Sequence, residues 1–253
     1  MAEFLKPITI KCAKRILEQA ENSFYEIKTC DSRTGIGIFC HIKYENGKIP
    51  ILITNIDMIT EENYKNGIKV SINNIYKNIL LGNVKYKNKE YNIIIIEIQE
   101  NEKDNINFLE IDDIFFENES ERFYYKESIY LIHINNQNDV LISYNIIHDV
   151  NNSEIFYHYK INIKYKYSFI FNLSNNKIIG IYNKNYNKYD KGLLFNFMIN
   201  EFMKKYKELK KLKNIMYKYE NNIKNEIEIK AKIEEKDIGK EIYFLDDKYY
   251  NFK

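Results

Sequence analysis

Few residues in this chain combine the type and the spacing that chemistry needs. The four histidines, His41, His133, His148 and His158, stand singly, and a lone imidazole among β-forming residues is more often packed or surface-exposed than catalytic. Cys12, Cys30 and Cys40 have no metal-ligand spacing and cannot all pair as disulfides, so they read as reduced thiols of an intracellular protein. Nothing in the sequence calls for a metal or a cofactor. Ser168 is the one hydroxyl other than tyrosine between Lys164 and Phe169, and no histidine motif adjoins it. What remains is charge. Lys204, Lys205, Lys207, Lys210, Lys211 and Lys213 crowd one segment and offer salt-dependent contacts to phosphates. Glu201, Glu208 and Glu220 interrupt them, so a solvated helix face is the preferred reading and a nucleic-acid or anionic-surface binder the alternative.

The elements that would position these residues are mostly strands. Apolar residues at Ile16, Leu17 and Ala20, with Ala13 a turn earlier, predict a short amphipathic helix from Ile10 to Ala20. Short β-branched or aromatic runs follow at Gly35–Ile42, Ile49–Asn55, Ile68–Ile72, Ile75–Leu81, Asn83–Tyr86 and Glu90–Ile98. Asn and Gly separate them, a cadence that suits an antiparallel barrel rather than βαβ units. A linker of mixed charge and aromatics, Phe115 to Glu127, leads to a second set at Ser128–Ile134, Val140–Ile146 and Phe156–Ile163. Ser168–Leu173 and Lys177–Tyr182 flank Ser174-Asn175-Asn176, the residue types of a hairpin turn. From Asn196 the apolar period changes to three and four, through Ile199, Phe202, Met203, Leu209, Leu212, Met216 and Tyr219. That predicts a helix from about Phe197 to about Tyr219 which docks by its apolar stripe. Glu226–Ile233 alternates again and reads as a strand paired with Glu241–Leu245.

Several of these segments carry a resemblance. Gly35-Ile36-Gly37-Ile38-Phe39-Cys40, Pro50-Ile51-Leu52-Ile53-Thr54-Asn55, Tyr91-Asn92-Ile93-Ile94, Phe108–Asp113 and the Ser174-Asn175-Asn176-Lys177 turn before Ile179-Gly180-Ile181 resemble the trypsin-like serine peptidases without disulfides of protists and large DNA viruses. The likeness runs from about Ile16 to about Phe202. It implies a double β-barrel, and it also implies lost catalysis. The general-base position holds Asp57, the position that would orient the base holds Asn92, and the nucleophile position holds Lys166. Lys164 and Tyr167 replace residues of the oxyanion loop, where a Cβ narrows the backbone conformations. Such chemistry needs a hydroxyl, an imidazole and a carboxylate together. The resemblance therefore implies a pseudopeptidase, with Asp57 and Lys166 as a complementary ion pair across the former cleft. A hydrolase with rearranged residues is a second alternative.

The expected architecture is all-β dominated. It has a helical segment over 1–22, a first barrel over 23–114, a second over 115–195, a C-terminal helix over 196–221 and a small β appendage over 222–253. A length of 253 residues, 45% hydrophobic and 29% charged, fits a folded chain with a sizeable core. The net charge of +2 gives no global attraction to polyanions. Arg15, Arg33 and Arg122 are the sole arginines, and the 23 Tyr and 15 Phe are spread along strands, where they serve packing. No apolar run is long enough to span a membrane, and the start MAEFLKP lacks the apolar core of a signal peptide. The expected role is binding or structural, with an unidentified protein partner preferred to nucleic acid. The resemblance points to a parasite- or virus-encoded protein of the host cytoplasm or the virion.

Overall fold

Thr9 caps the first helix, its hydroxyl accepting the Cys12 N–H at 3.2 Å. The computed structural model describes residues 7–29, 33–72, 75–99, 106–112, 114, 123–135, 137, 139–151, 153–157, 165–186 and 189–218. Of residues 165–167, 183–186 and 189 it describes the backbone alone. Helix α1 (Ile10–Asn22) buries Ile16 and Ala20, one turn apart, and ends where the Ser23 N–H closes on the Gln19 carbonyl. Gln19 then fixes the helix to the second half of the chain. Its amide donates to the Asn176 carbonyl at 2.9 Å, and its side-chain oxygen accepts the Tyr130 hydroxyl.

The first half is a sheet of eight strands: β1 (Phe24–Lys28), β2 (Thr34–Tyr44), β3 (Gly47–Asn55), β4 (Ile68–Ile72), β5 (Ile75–Ile79), β6 (Leu81–Asn88), β7 (Ile93–Ile98) and β8 (Leu109–Glu110). Its order is β5-β4-β1-β2-β3-β7-β6, antiparallel throughout, with the short β8 parallel to β2, and a one-turn helix, α2 (Asn63–Asn66), lies between β3 and β4. Ile27, Phe39, Leu52, Val70, Ile94 and Ile96 form its core. The expected first barrel is thus a sheet left open between β5 and β6. The reason is local. Leu80 alone joins these strands, and one residue cannot fold a strand back on its predecessor, since tight hairpins need two.

Gly35 and Gly37 matter for space rather than for an unusual backbone. A Cβ at Gly35 would meet the Met58 Sδ at 2.5 Å, and one at Gly37 would meet the Leu52 Cδ1 at 2.8 Å.

The second half is a closed barrel of β9 (Ser128–Asn135), β10 (Val140–Asn151), β11 (Glu154–Tyr157), β12 (Tyr165–Asn172), β13 (Ile178–Tyr186) and β14 (Tyr189–Leu194), in the order β10-β11-β14-β13-β12-β9. β9 is buried on both faces over Ser128–Ile134, which explains its continuous apolar run. Tyr130 stacks on Phe171 with centroids 4.9 Å apart.

The β12–β13 turn is built by asparagines. The Asn172 Oδ1 accepts the Ser174 N–H and hydroxyl at 2.9 and 2.7 Å, the Asn175 Oδ1 accepts the Lys177 N–H at 2.9 Å, and Asn176 takes a left-handed φ of 58°. The buried Asp112 carboxylate clamps this turn from outside, accepting the side-chain amides of Asn172 and Asn175, each at 3.1 Å.

The chain divides into two compact units, residues 1–205 and 206–253. Helix α3 (196–218) begins in the first and continues into the second. Met198, Ile199, Phe202 and Met203 are buried, but residues 211–218 are exposed, Leu212 at 57% and Met216 at 61%. The expected stripe is therefore buried over Met198–Met203 in the first unit, whereas Leu209 is half-buried and Leu212 and Met216 are exposed. The predicted β appendage lies outside the described residues, as does the linker over 115–122. Among the described residues no helix is long and apolar enough to cross a membrane.

Candidate functional site

The ends of two neighbouring strands bring together Asp57 and Asn92, which lie 35 residues apart. β3 and β7 pair through Thr54 with Ile94 and Asn55 with Ile93. Just beyond β3 the chain makes a short 3-10 turn, Ile56–Met58, and just before β7 it turns at Asn92. The Ile56 N–H donates to the Asn92 carbonyl at 3.2 Å, locking the two turns side by side. Asn92 adopts φ 53°, a region that asparagine tolerates better than most side chains. Its amide then donates to the Asp57 Oδ2 at 2.9 Å, with Asp57 exposed.

Next to Asn92, Tyr91 crosses to the second half of the chain. Its hydroxyl donates to the Glu154 Oε1 on β11 at 3.2 Å, and Glu154 is also ion-paired with Lys191 on β14. Burial, then the charge of and hydrogen bond to Glu154, push the Tyr91 hydroxyl up to about 12. At neutral pH it is therefore a fixed donor and no base.

Lys166 occupies an irregularity in β12. Tyr165 pairs with Asn135 and Tyr167 with Ile134, so Lys166 is the extra residue of a β-bulge against β9. From Tyr165 onward the segment expected as a degenerate oxyanion loop is strand, with its backbone committed to the ladder with β9. The Lys166 and Tyr167 side chains and the whole of Lys164 lie outside the described residues, and so does the expected Asp57–Lys166 ion pair. The described partner of the Asp57 carboxylate is Asn92.

A Ser–His contact that the sequence did not disclose lies inside the closed barrel. Ser168 and His133 are direct cross-strand partners on β12 and β9. The Ser168 Oγ is 2.8 Å from the His133 Nδ1, and the Ser143 Oγ on β10 is 2.7 Å from the Nε2. Both ring nitrogens thus have hydroxyl partners. His133 is 1% exposed and Ser168 5%, and burial pulls the imidazole down to about 4, so it stays neutral near pH 7. The signal available in the sequence was a polar residue in each of two apolar strands, since buried polar groups need partners. The register that makes them opposite was not legible. The other described histidines do different work. His41 stacks on Phe108 at 4.1 Å between centroids, and His148 is exposed on β10.

No protein-family model and no curated protein matches the chain. Among the described residues, no three His, Cys, Asp or Glu side chains are grouped so as to hold a metal ion.

The α3 lysines make no concentrated basic surface. Lys204, Lys207 and Lys211 share one side of the helix by their spacing of three and four, and Glu208 falls between them. Lys205 leans over the Tyr86 ring, 5.5 Å from its centroid. Lys210 is half-buried, while Lys204, Lys205, Lys207, Lys211 and Lys213 are exposed.

Proposed function

We propose that this chain is a non-catalytic binding or structural protein on a scaffold that resembles the trypsin-like serine peptidases. The observation that carries the reading is the contact between the Asn92 amide and the Asp57 carboxylate. In such peptidases this pair of positions would hold an imidazole and the carboxylate that fixes its tautomer. An amide donating to an exposed carboxylate supplies neither a base poised near neutrality nor a countercharge for one. A strand-rich half, a closed six-stranded barrel and a helix in succession support the same scaffold. The partner we favour is a protein. The protist or viral origin that the resemblance suggests is tested by whether the protein co-purifies with particles.

One observation favours a second reading, a rearranged hydrolase, because Ser168 and His133 stand within hydrogen-bond reach. Burial opposes it, since a hydroxyl 5% exposed inside a packed barrel offers no approach to a carbonyl carbon. Incubation with a serine-directed fluorophosphonate, followed by peptide mass mapping, separates the two. The expected result is no label on the folded protein. Labelling at Ser168 that disappears on heat denaturation favours the hydrolase and overturns the first reading.

A further inference from the structure

Asparagine followed by glycine occurs twice in the chain, at Asn46-Gly47 and at Asn66-Gly67. The pair is chemically special. A glycine in second place has no Cβ to hinder the approach of its main-chain nitrogen to the asparagine Cγ, and its backbone reaches conformations closed to other residues. The structure puts the two pairs in opposite surroundings. Asn46 belongs to the two-residue loop, Glu45-Asn46, that joins β2 to β3, and Glu45, Asn46 and Gly47 are all exposed. Among the described residues no group holds the Asn46 side-chain amide. The Tyr44–Gly47 pair that closes the loop is the last of the β2–β3 ladder, and ladder ends open most readily. Asn66 is tied down instead. It is the last residue of α2, its amide donates to the Glu62 Oε1 at 3.2 Å, and its carbonyl accepts the Asn78 amide at 2.8 Å. Gly67 is buried, and its N–H donates to the Asn63 carbonyl at 2.9 Å.

We propose that Asn46 is a site of self-modification by deamidation and that Asn66 is not. The Gly47 nitrogen gives its proton to solvent and bonds to the Asn46 Cγ. The Cγ–Nδ2 bond breaks, ammonia leaves, and a five-membered succinimide closes. Water then opens the ring in one of two ways. Attack at Cγ breaks its new bond to the Gly47 nitrogen and yields aspartate. Attack at the main-chain carbonyl carbon breaks the original peptide bond and yields isoaspartate, in which the main chain runs through Cγ. No oxidant, metal or cofactor enters the balance. Either product adds one negative charge to the loop tip, close in sequence to Lys48, whose ammonium lies 3.4 Å from the Glu110 Oε1. Isoaspartate also lengthens the main chain of a two-residue loop and so loosens its Tyr44–Gly47 closure, because loop length sets hairpin geometry. The site is separate from Asp57 and Asn92, and it stands or falls independently of any catalytic history of the chain.

Gly47 supplies the control. A Cβ there meets only the Tyr44 carbonyl oxygen, at 3.9 Å, so Gly47→Ala fits the turn while obstructing the attack. The full chain is incubated for days in mildly alkaline buffer, folded or in urea. Conversion of amide to acid at both asparagines is followed by peptide mass mapping, with isoaspartate separated from aspartate by chromatography. In urea both sites are expected to convert at similar rates, because the sequence pair alone then decides. In the folded protein Asn46 should convert about tenfold faster than Asn66 or more, since attack by the buried Gly67 nitrogen first requires local unfolding. Isoaspartate should exceed aspartate at position 46, the mark of ring opening rather than direct hydrolysis of the amide. Gly47→Ala should slow conversion at Asn46 about tenfold without lowering the melting temperature. If that variant does melt early, the comparison of Asn46 with Asn66 in the folded wild type decides alone. Similar folded-state rates at the two asparagines, aspartate without isoaspartate at position 46, or undiminished conversion in a folded Gly47→Ala variant overturns the proposal.

Discussion

Asn92 does two things at once: it holds a left-handed backbone and it donates to Asp57. Substitution separates them. Asn92→Gly removes the amide but keeps the conformation available, whereas Asn92→Ala removes the amide and adds the strain of a Cβ at positive φ. Urea denaturation should therefore find Asn92→Ala less stable than Asn92→Gly by about 1 kcal/mol. Asp57→Ala should cost no more than about 1 kcal/mol, because the hydrogen bond is exposed. Equal stability of the two Asn92 variants would mean that the turn relaxes without strain.

Two buried groups pull the pH dependence of stability in opposite directions. Burial lowers His133 from 6.5 to about 4, so the unfolded chain binds the proton more readily in that window and folding is favoured as pH rises through it. Burial raises Asp190 from 3.8 to about 6, with the Tyr182 hydroxyl 3.4 Å from one carboxylate oxygen. Here the folded chain holds the proton more tightly, and stability is lost as pH rises from about 4 to about 6. Relative to wild type, Asp190→Asn should gain stability with rising pH across that window, and His133→Gln should lose it. Chemical denaturation at several pH values reads both differences, and curves of the same sign would contradict the assignment.

At the scale of elements, the β12–β13 hairpin concentrates the polar chemistry of the second half. Asn172 is buried, donates to the buried Asp112 carboxylate and accepts both Ser174 donors. Asn172→Ala leaves those partners short of hydrogen bonds in a site with little water, so it should cost roughly 1–3 kcal/mol. Asn175→Ala removes one donor to Asp112 and one acceptor for Lys177 from a less buried position, and should cost less. An equal loss would place the stabilisation in the turn rather than in the clamp on Asp112.

This hairpin was legible because Ser and Asn between β-forming runs have a local mechanism. The same holds for α1, with its capped start and apolar spacing, and for β7, whose isoleucines are buried on both faces. Long-range placement was not legible. Nothing near Gly35 reveals that Met58 will lie against it, and nothing near Ser168 reveals that His133 will be its cross-strand partner. The open edge between β5 and β6 likewise follows from a single connecting residue, Leu80, that an alternation pattern passes over.

At the scale of the whole molecule, the two strand-rich halves are tied by contacts far apart in sequence. Tyr91 reaches Glu154, Asp112 holds the hairpin, and α1 touches both halves, with the Asn22 carbonyl accepting the Asn107 amide at 3.3 Å and Gln19 reaching Asn176. The candidate site was half legible for a related reason. Asp57 and Asn92 meet because adjacent strands end together, whereas the place of Lys166 depends on a bulge that no spacing rule encodes. Helix α3 shows the same limit. Its apolar period continues through Met216, yet burial ends before Leu212. Periodicity reports which residues share a side of a helix and not how far the surface beneath them extends. Phe202→Ala should therefore cost about 3–5 kcal/mol, as for a fully buried aromatic. Leu212→Ala and Met216→Ala should each stay within about 0.5 kcal/mol of wild type. Neutralising Lys207 and Lys211 should be equally mild, and RNA binding should show no steep salt dependence at physiological ionic strength. Denaturation midpoints at constant m-value test the stabilities. A Leu212→Ala loss comparable to that of Phe202→Ala would place Leu212 in a buried interface, and the outer half of α3 would then be a docking element rather than an exposed one.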